Sequence, residues 1–175
     1  MQLGADLLRS KSMDRDSYNA GDWFNAVDLT KENNNWNIGL PNAEKNQEKW
    51  SEIMPISANA DAQAMPQDIA YAGDVFQEFL AIRSASPLFR LTTEQDVIDR
   101  VGFHNVGKNQ QHGLIVMSID DGQGFADLDN QIDALVVVIN ATEQALSHTV
   151  PTAAGFELHP ILKNGVDSTM AGVSF

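Results

Sequence analysis

The sequence predicts an α+β, mainly β chain in which an irregular N-terminal segment and one long helix precede an antiparallel β-sandwich. Residues 1–65 show no sustained hydrophobic period, whereas residues 66–84 carry apolar side chains at helical spacing. Residues 87–175 contain short β-branched runs separated by turn residues, a pattern typical of a sandwich. We therefore expect one domain over residues 1–86 and a second over residues 87–175.

The composition and charge exclude several classes of partner. In 175 residues, 11 Lys and Arg stand against 24 Asp and Glu, which gives a formal net charge of −13. Nucleic-acid and membrane-surface binding need clustered cations, so we expect neither kind of partner. No apolar run approaches the roughly 20 residues that span a bilayer, and the N-terminus lacks the pattern of a signal peptide. Cysteine is absent, which excludes disulfides, thiolate metal sites and a Cys nucleophile.

Residues 1–65 are predicted to be ordered although they are irregular. Turn-forming residues interrupt the segment throughout, and a loop of this length is usually either functional or disordered. Disordered segments are poor in aromatic residues, whereas this segment is rich in them. The aromatic residues are Tyr18, Trp23, Phe24, Trp36 and Trp50, and the turn-forming residues include Gly21, Gly39, Pro41 and Pro55. We expect the segment to pack on a larger body.

The clearest helix is predicted over residues 66–84. Pro66 is tolerated in a first helical turn, and Asp68 is favourable near the positive end of the helix dipole. Ser86-Pro87 ends the helix, because a proline disfavours helical geometry in the residue before it. The apolar stripe comprises Ile69, Ala72, Val75, Phe76, Phe79, Leu80 and Ile82. We expect this stripe to need a cover, and self-association of the chain to provide part of it.

Strands predominate in the predicted second domain. A short helix is predicted over residues 93–100, with Thr92 or Thr93 as its cap. Turns are predicted at residues 107–109 and 120–124. The six predicted strands cover residues 101–105, 113–119, 134–140, 146–150, 156–162 and 173–175.

Motifs for metal, nucleotide and nucleophilic chemistry are absent or weak. The four histidines lack a short ligand spacing, so we interpret them as surface or half-buried sheet residues. The acidic stretch 120–130 lacks the ligand order of a calcium loop, which favours a solvated turn and leaves calcium as the alternative. No phosphate-binding glycine loop follows a strand, and no Gly-x-Ser-x-Gly motif occurs.

Residues 7–25 concentrate the side chains that could carry chemistry. The segment mixes Arg, Lys, Asp, Ser, Tyr, Asn and Trp, with almost no aliphatic residue after Leu8. Sugar sites use such a mixture, because charged planar groups bridge hydroxyls and aromatic faces stack on sugar C–H surfaces. From these residues alone, a solvated ionic loop is an equal alternative.

The same segment resembles a known family. Leu-Leu-Arg-Ser-Lys-Ser at 7–12, followed by Arg-Asp-Ser-Tyr-Asn-Ala-Gly-Asp-Trp-Phe-Asn at 15–25, is closely similar to a segment of pullulanase-type debranching enzymes and plant limit dextrinases. These enzymes belong to the alpha-amylase superfamily of glycoside hydrolases. The resemblance continues in order through residues 34–41, 76–89, 101–105, 113–122 and 135–141.

The resemblance implies the fold and the activity of a longer parent enzyme. Residues 1–86 would be the end of a (β/α)8 catalytic barrel, namely the loop after strand eight and the last helix, and residues 87–175 a truncated C-terminal β-sandwich. The implied activity is hydrolysis of α-1,6 branch linkages in pullulan, starch or glycogen-derived dextrins, by a retaining mechanism with two carboxyl groups. The family's catalytic carboxylates follow strands four, five and seven, upstream of this region. We therefore expect no catalytic residue and no debranching activity in this chain alone.

The resemblance also implies a substrate and a set of binding residues. An α-glucan is the expected partner, and no cofactor is expected, although calcium in the parent enzyme stays open. We predict that Asp16 accepts hydrogen bonds from sugar hydroxyls, with Arg9 and Lys11 as donors or as organisers of the loop. Tyr18 and Trp23 are lesser candidates, because packing the loop onto the barrel is an equal alternative for both. Bacterial relatives are often secreted or surface-anchored and plant relatives lie in plastids, so localisation depends on the source.

The alternative function is a non-catalytic β-sandwich module with a structural or carbohydrate-binding role. Residues 87–175 contain no Trp and no Tyr, so they would offer a poor platform for stacking sugars. Within this alternative, the composition favours the structural role.

Overall fold

The computed structural model describes residues 2–122 and 124–174, and these residues form two compact units. The first unit extends to Glu78 and includes Gly165–Asp167, and the second begins at Phe79 and contains the remaining residues. The boundary between the units falls inside the long helix. The domain boundary expected at residue 86 stays a prediction.

Short helices joined by turns build the first unit, where the sequence predicted irregular structure. The helices are α1 (Asp22–Asn25), α2 (Ala43–Asn46), α3 (Trp50–Ser57) and the first part of α4 (Pro66–Ala85). Three-residue 3-10 turns lie at Ala5–Leu7, Ser17–Asn19, Gln47–Lys49 and Ala60–Ala62. The buried apolar side chains of this unit include Leu7, Phe24, Ile53 and Ile69. A few large side chains thus anchor a segment that has little regular structure.

Helix α3 corrects the prediction that Pro55 marks a turn, because Pro55 lies inside this helix. A proline in a helix forgoes one backbone hydrogen bond, a loss that neighbouring residues can offset. Here Ile53 and Ser57 are buried, and the Ser57 hydroxyl donates to the Ile53 carbonyl at 2.9 Å. Burial of this face outweighs the turn preference of proline.

Helix α4 confirms the helix predicted over residues 66–84. It ends at Ala85, and the Ser86 hydroxyl then accepts a hydrogen bond from the Leu88 amide at 3.2 Å. The apolar stripe has two environments. Ile69 and Ile82 are buried, whereas Phe79 is 58% exposed and Leu80 is also exposed.

The second unit contains one antiparallel sheet of three strands in the order β1-β2-β3. Helix α5 (Glu94–Arg100) precedes the sheet and confirms the short predicted helix, with the Thr93 hydroxyl accepting from the Asp96 amide at 3.0 Å. The strands are β1 (Val101–Phe103), β2 (Leu114–Asp120) and β3 (Ala134–Asn140). The register pairs Val101 with Ile119 and Leu114 with Asn140. Three of the predicted strands are thereby confirmed to within two residues at each end.

The described residues combine helices with one small antiparallel sheet, so the α+β part of the prediction is supported and the mainly β part is wrong. Residues 146–150 and 156–162 form no strand; a 3-10 turn lies at Pro151–Ala153 and helix α6 at Pro160–Lys163. Pro160 lies inside the second run, where it cannot donate to a strand ladder and instead begins helix α6, and Pro151 begins the 3-10 turn that follows the first run. The described residues form a single sheet rather than the two sheets of a sandwich.

Two predictions extend to residues that lie outside the described ranges. The turn predicted at residues 120–124 includes Gln123, and the strand predicted at residues 173–175 includes Phe175. Val173 and Ser174, which are described, are not in a strand. Within the described ranges, no helix combines the length and the apolar character needed to cross a membrane.

A buried ion pair holds the loop after β2 in the second unit. The guanidinium of Arg100 pairs with the carboxylate of Asp121, and both side chains are almost fully buried. Arg100 Nη2 also donates to the Ala126 carbonyl at 2.7 Å. Asp121 Oδ2 accepts from the amides of Leu128 and Asp129 at 2.9 and 2.7 Å. The acidic stretch is therefore not a solvated turn throughout, because Asp121 satisfies internal donors.

We predict that Asp121→Ala strongly destabilises the second unit. Removing Asp121 leaves the buried Arg100 guanidinium with only the partly exposed Asp96 as a counter-charge. We therefore expect a loss of unfolding free energy near the lower end of the about 3–5 kcal/mol that breaking a buried ion pair typically costs. Amide hydrogen exchange in β2 measures this loss, because the three tryptophans lie in the first unit and do not report on the sheet. Asp127→Ala, which removes an exposed carboxylate of the same loop, is the matched control. Equal protection of β2 in the two variants would contradict the prediction.

Candidate functional site

The loop formed by residues 7–25 is cross-linked by its own cations. Lys11 Nζ donates to Asn25 Oδ1 at 2.8 Å and to the Ser17 hydroxyl. Asn25 Nδ2 in turn donates to the Ser17 carbonyl at 2.9 Å and, more weakly, to the Gly21 carbonyl at 3.3 Å. Arg9 Nη1 donates to the Asn25 carbonyl at 3.1 Å. Of the two roles left open for Arg9 and Lys11, these contacts favour the role of loop organiser.

Asp16 presents an exposed carboxylate at the start of the Ser17–Asn19 turn. Its Oδ1 accepts from the Tyr18 amide at 3.4 Å, and its Oδ2 accepts from Lys45 Nζ on α2. The hydrogen bond from Lys45, followed by the one from the Tyr18 amide, lowers the pKa of Asp16, and the same pair raises the pKa of Lys45. Asp16 is therefore an ionised acceptor at the surface, and its oxygens retain lone pairs for further donors.

Asp14 and Asn46 hold the backbone beside Asp16, and the sequence analysis did not identify either residue. Asp14 Oδ1 accepts from the Asp16 amide at 3.1 Å and from Asn46 Nδ2 at 2.8 Å. Asn46 Oδ1 accepts from the Arg15 amide at 3.1 Å. No spacing signal connects residues 32 positions apart, so only the acidic content of the segment hinted at Asp14.

The back of the loop is held by the asparagine-rich segment that follows it. The Ser12 hydroxyl is buried, donates to the Asn35 carbonyl at 2.9 Å and accepts from the Ile38 amide at 3.3 Å. Ser12 and Met13 both have positive φ, at 46° and 61°. Residues other than glycine rarely adopt this region, and such strain persists only where the surroundings enforce it. The loop therefore has a specified conformation.

Two aromatic side chains lie exposed on the same loop. Tyr18 is 94% exposed, and Trp23 is 52% exposed with its ring centroid 4.1 Å from that of buried Phe24. Gly39, at φ 137°, leaves room for the indole, because a Cβ there would lie 3.3 Å from Trp23 Cη2. Trp23 is thus anchored on one side and accessible on the other, as a stacking group needs to be.

The described histidines and acidic residues of the second unit form no comparable candidate site. His104 is half-buried on the sheet and lies 2.8 Å from the Ser118 hydroxyl, His112 and His148 are exposed, and His159 caps α6. These positions agree with the surface or half-buried interpretation, although only His104 adjoins the sheet. Among residues 2–122 and 124–174, no group of three His, Cys, Asp or Glu side chains is placed to hold a metal ion.

A shallow cleft of about 470 Å³ also lies in the second unit. Its described lining residues are Ala85, Pro87, Asp127, Leu128, Asp129, Asn130 and Gln131. None of these is aromatic, and the Asp129 carboxylate already accepts from the Ser86 hydroxyl at 2.5 Å. The loop at residues 7–25 is therefore the stronger candidate for binding a sugar.

Comparison with known proteins connects most of the chain to one family. The family model described as "Alpha-1,6-glucosidases, pullulanase-type, C-terminal" matches residues 31–175. The chain is 42% identical over 164 residues to "Pullulanase 1, chloroplastic" of Arabidopsis thaliana, covering 90% of this chain and 17% of that protein. It is 39% identical over 176 aligned positions to the pullulanase of Klebsiella pneumoniae, covering 97% of this chain and 16% of that protein.

Solved structures give the same result. The apo pullulanase from Klebsiella pneumoniae is similar with a TM-score of 0.70 and 43% identity, over 79% of this chain and 15% of that chain. PulA from Klebsiella oxytoca is similar with a TM-score of 0.72 and 40% identity, over 79% of this chain and 13% of that chain. This chain therefore spans less than a fifth of the length of these relatives and corresponds to their C-terminal region.

We predict that Lys45→Ala raises the pKa of Asp16, because the ion pair with Lys45 is the main cause of its lowered value. The Asp16 carboxyl signal in an NMR titration measures the change. The pKa of Asp28, which the Thr30 hydroxyl lowers, is the internal control and should stay constant. An unchanged Asp16 midpoint in Lys45→Ala would contradict the assignment.

The sign of the associated stability effect follows from the direction of the shift. A lowered pKa in the folded chain means that folding favours the ionised carboxylate. The stabilisation is therefore present above the unfolded pKa of Asp16 and is lost as the pH falls through the lowered, folded value. Both side chains are exposed, so added salt should screen the pair and reduce the shift.

Proposed function

Because the chain belongs to the C-terminal family of pullulanase-type α-1,6-glucosidases, we propose that it is the C-terminal part of a debranching glycoside hydrolase. The proposed reaction is cleavage of α-1,6 branch linkages in pullulan, starch and glycogen-derived dextrins. The family match over residues 31–175 carries this proposal, together with identities of 39–42% that extend over 90% or more of the chain.

In this proposal the chain supports catalysis and does not perform it. Retaining hydrolysis needs two carboxyl groups that flank the scissile bond, one as nucleophile and one as acid and base. In the family that the sequence resembles, these groups lie upstream of the C-terminal region. Residues 1–86 contribute the end of the catalytic barrel, including the loop after strand eight, and residues 87–175 form the domain that supports it.

The loop at residues 7–25 binds the α-glucan in this proposal. Asp16 accepts from a sugar hydroxyl, since its carboxylate is ionised and exposed. Arg9 and Lys11 keep the loop in shape through Asn25. Tyr18 and Trp23 stack on the sugar faces, which their exposure permits.

The second layer of a β-sandwich would cover an apolar face of the sheet. Ile115 pairs with Ile139 and Phe103 with Met117, so these four side chains share one face. Phe103, Ile115 and Ile139 are exposed. A sheet face of this kind is normally packed against another layer, so we propose that the parent enzyme supplies one.

We also propose that the isolated chain self-associates through the helix at residues 66–84. The exposed stripe residues Phe79 and Leu80 support this proposal, whereas the burial of Ile69 limits the surface available. Light scattering over a range of concentrations tests it, and a monomer at every concentration would rule it out.

The purified chain should release no reducing sugar from pullulan, because it lacks the pair of catalytic carboxyl groups. The full-length enzyme of which we propose the chain is part should release it under the same conditions. Amylose, which lacks branch linkages, is the control substrate for the full-length enzyme. If the chain releases more reducing sugar than a heat-treated sample, its non-catalytic role is contradicted. If the full-length enzyme releases no reducing sugar from pullulan, the debranching function is contradicted.

In the full-length enzyme, Asp16→Ala should lower kcat/KM for pullulan by about 10–150-fold, the effect of losing one hydrogen bond to a charged group. Glu48→Ala, which removes an exposed carboxylate from the Gln47–Lys49 turn, is the matched control and should leave the kinetics unchanged. Equal kinetics in the two variants would reduce Asp16 to a solvated loop charge.

A further inference from the structure

Asp14 and Asn46, which we call the clamp, bind the backbone amides of two consecutive residues of the loop through side-chain hydrogen bonds. Asp14 Oδ1 accepts from the amide of Asp16, and Asn46 Oδ1 accepts from the amide of Arg15. The two side chains are joined at 2.8 Å through Asn46 Nδ2. Arg15 and Asp16 are themselves exposed, so the clamp supplies an order that burial does not provide.

Helix α2 anchors the clamp in the first unit. Asn46 is only 2% exposed, and its Nδ2 also donates to the Asn42 carbonyl at 2.9 Å. The residue before it, Lys45, pairs with the carboxylate of Asp16. One short helix therefore holds the Arg15 amide through Asn46 and the Asp16 carboxylate through Lys45, and it reaches the Asp16 amide only through Asp14.

Neither oxygen of Asp14 is available to a ligand. Oδ1 accepts from the backbone amide of Asp16 and from the side-chain amide of Asn46. Oδ2 is buried and has no hydrogen-bond partner among the described residues. Asp14 therefore acts on the loop through Oδ1 and not on a ligand directly.

We propose that Asp14, anchored by Asn46, is a positioning residue that aims the carboxylate of Asp16 at a hydroxyl of the bound α-glucan. The inference rests on the proposed function, in which Asp16 contacts the sugar. Fixing the Asp16 amide places the base of its side chain, from which Oδ1 reaches the Tyr18 amide at the start of the Ser17–Asn19 turn and Oδ2 reaches Lys45. Loss of the clamp misdirects this carboxylate without removing it.

The first test is kinetic and uses the full-length enzyme with pullulan. Asp14→Ala should raise KM by about tenfold, the lower end of the loss for a charged hydrogen bond. Asp14→Asn keeps an acceptor oxygen at the Oδ1 position, so its KM should stay within about threefold of the parent value. The double variant Asp14→Ala, Asp16→Ala should lose no more kcat/KM than Asp16→Ala alone. The effects of two residues that act through one another are not additive.

The second test uses the 175-residue chain and needs no activity. Asp14→Ala should raise the NMR titration midpoint of Asp16, since a loosened loop weakens the pair with Lys45, whereas Asp14→Asn should leave it unchanged. The midpoint of Asp28 should stay constant in both. Asp14→Glu keeps the charge but displaces the acceptor by one methylene. It should therefore behave like Asp14→Ala, which preserves the test if that variant fails to fold.

The outcomes separate the inference from the function on which it rests. A static Asp16 midpoint in Asp14→Ala and Asp14→Glu would overturn the clamp. A shifted midpoint with unchanged KM, in an enzyme that Asp16→Ala impairs, would overturn the positioning role alone. If Asp16→Ala itself has no kinetic effect, the proposed contact between Asp16 and the sugar is contradicted. The positioning role of Asp14 toward a sugar is then contradicted as well. Equal losses in Asp14→Asn and Asp14→Ala would instead make the charge of Asp14 the active feature and contradict the inference.

Discussion

Hydrogen bonds from buried side chains to the backbone hold the N-terminal part of the first unit, because residues 2–42 contain little regular structure that could satisfy their amides and carbonyls. Ser12, Asn35 and Asn46 are buried polar residues, and each bonds to a backbone group at least nine positions away in the sequence. An unpaired buried polar group is costly, so each partner fixes the other in place. The exposed side chains of the candidate site depend on this buried layer for their positions.

The loop separates residues that shape it from residues that it presents. Arg9 and Lys11 donate to Asn25 and are thereby used within the loop. Long cationic side chains lose much rotamer freedom when they are ordered. The hydrogen bonds that Arg9 and Lys11 donate to Asn25 offset part of that entropy loss. The surface then presents Asp16, Tyr18 and Trp23, a carboxylate with two aromatic rings. This combination suits a neutral ligand rich in hydroxyls better than it suits a charged one.

The accuracy of the predicted elements follows the strength of their local signals. Helices α4 and α5 have clear boundaries in the sequence, a proline-marked end in one and a threonine cap in the other, and both are confirmed. Strand β3 is a continuous β-branched run and is also confirmed. The runs at 146–150 and 156–162 are short and adjoin prolines, and for such runs composition alone does not distinguish a strand from a turn or a helix. The acidic loop was predicted to be a solvated turn because of its charges. The burial of Asp121 against Arg100 has no local signature in the sequence, so the prediction missed it.

The sequence by itself determined helices α4 and α5, the three strands of the sheet and the family, since each of these depends on residues that lie close together along the chain or on an ordered series of motifs. It also identified the loop that carries Asp16, Tyr18 and Trp23. Only the tertiary structure decided which charges face outward and which are used internally. It alone paired Asp14 with Asn46 across 32 positions and Arg100 with Asp121 across 21. Hydrogen bonds between residues so far apart leave no periodic pattern, because their partners meet only when the chain has folded.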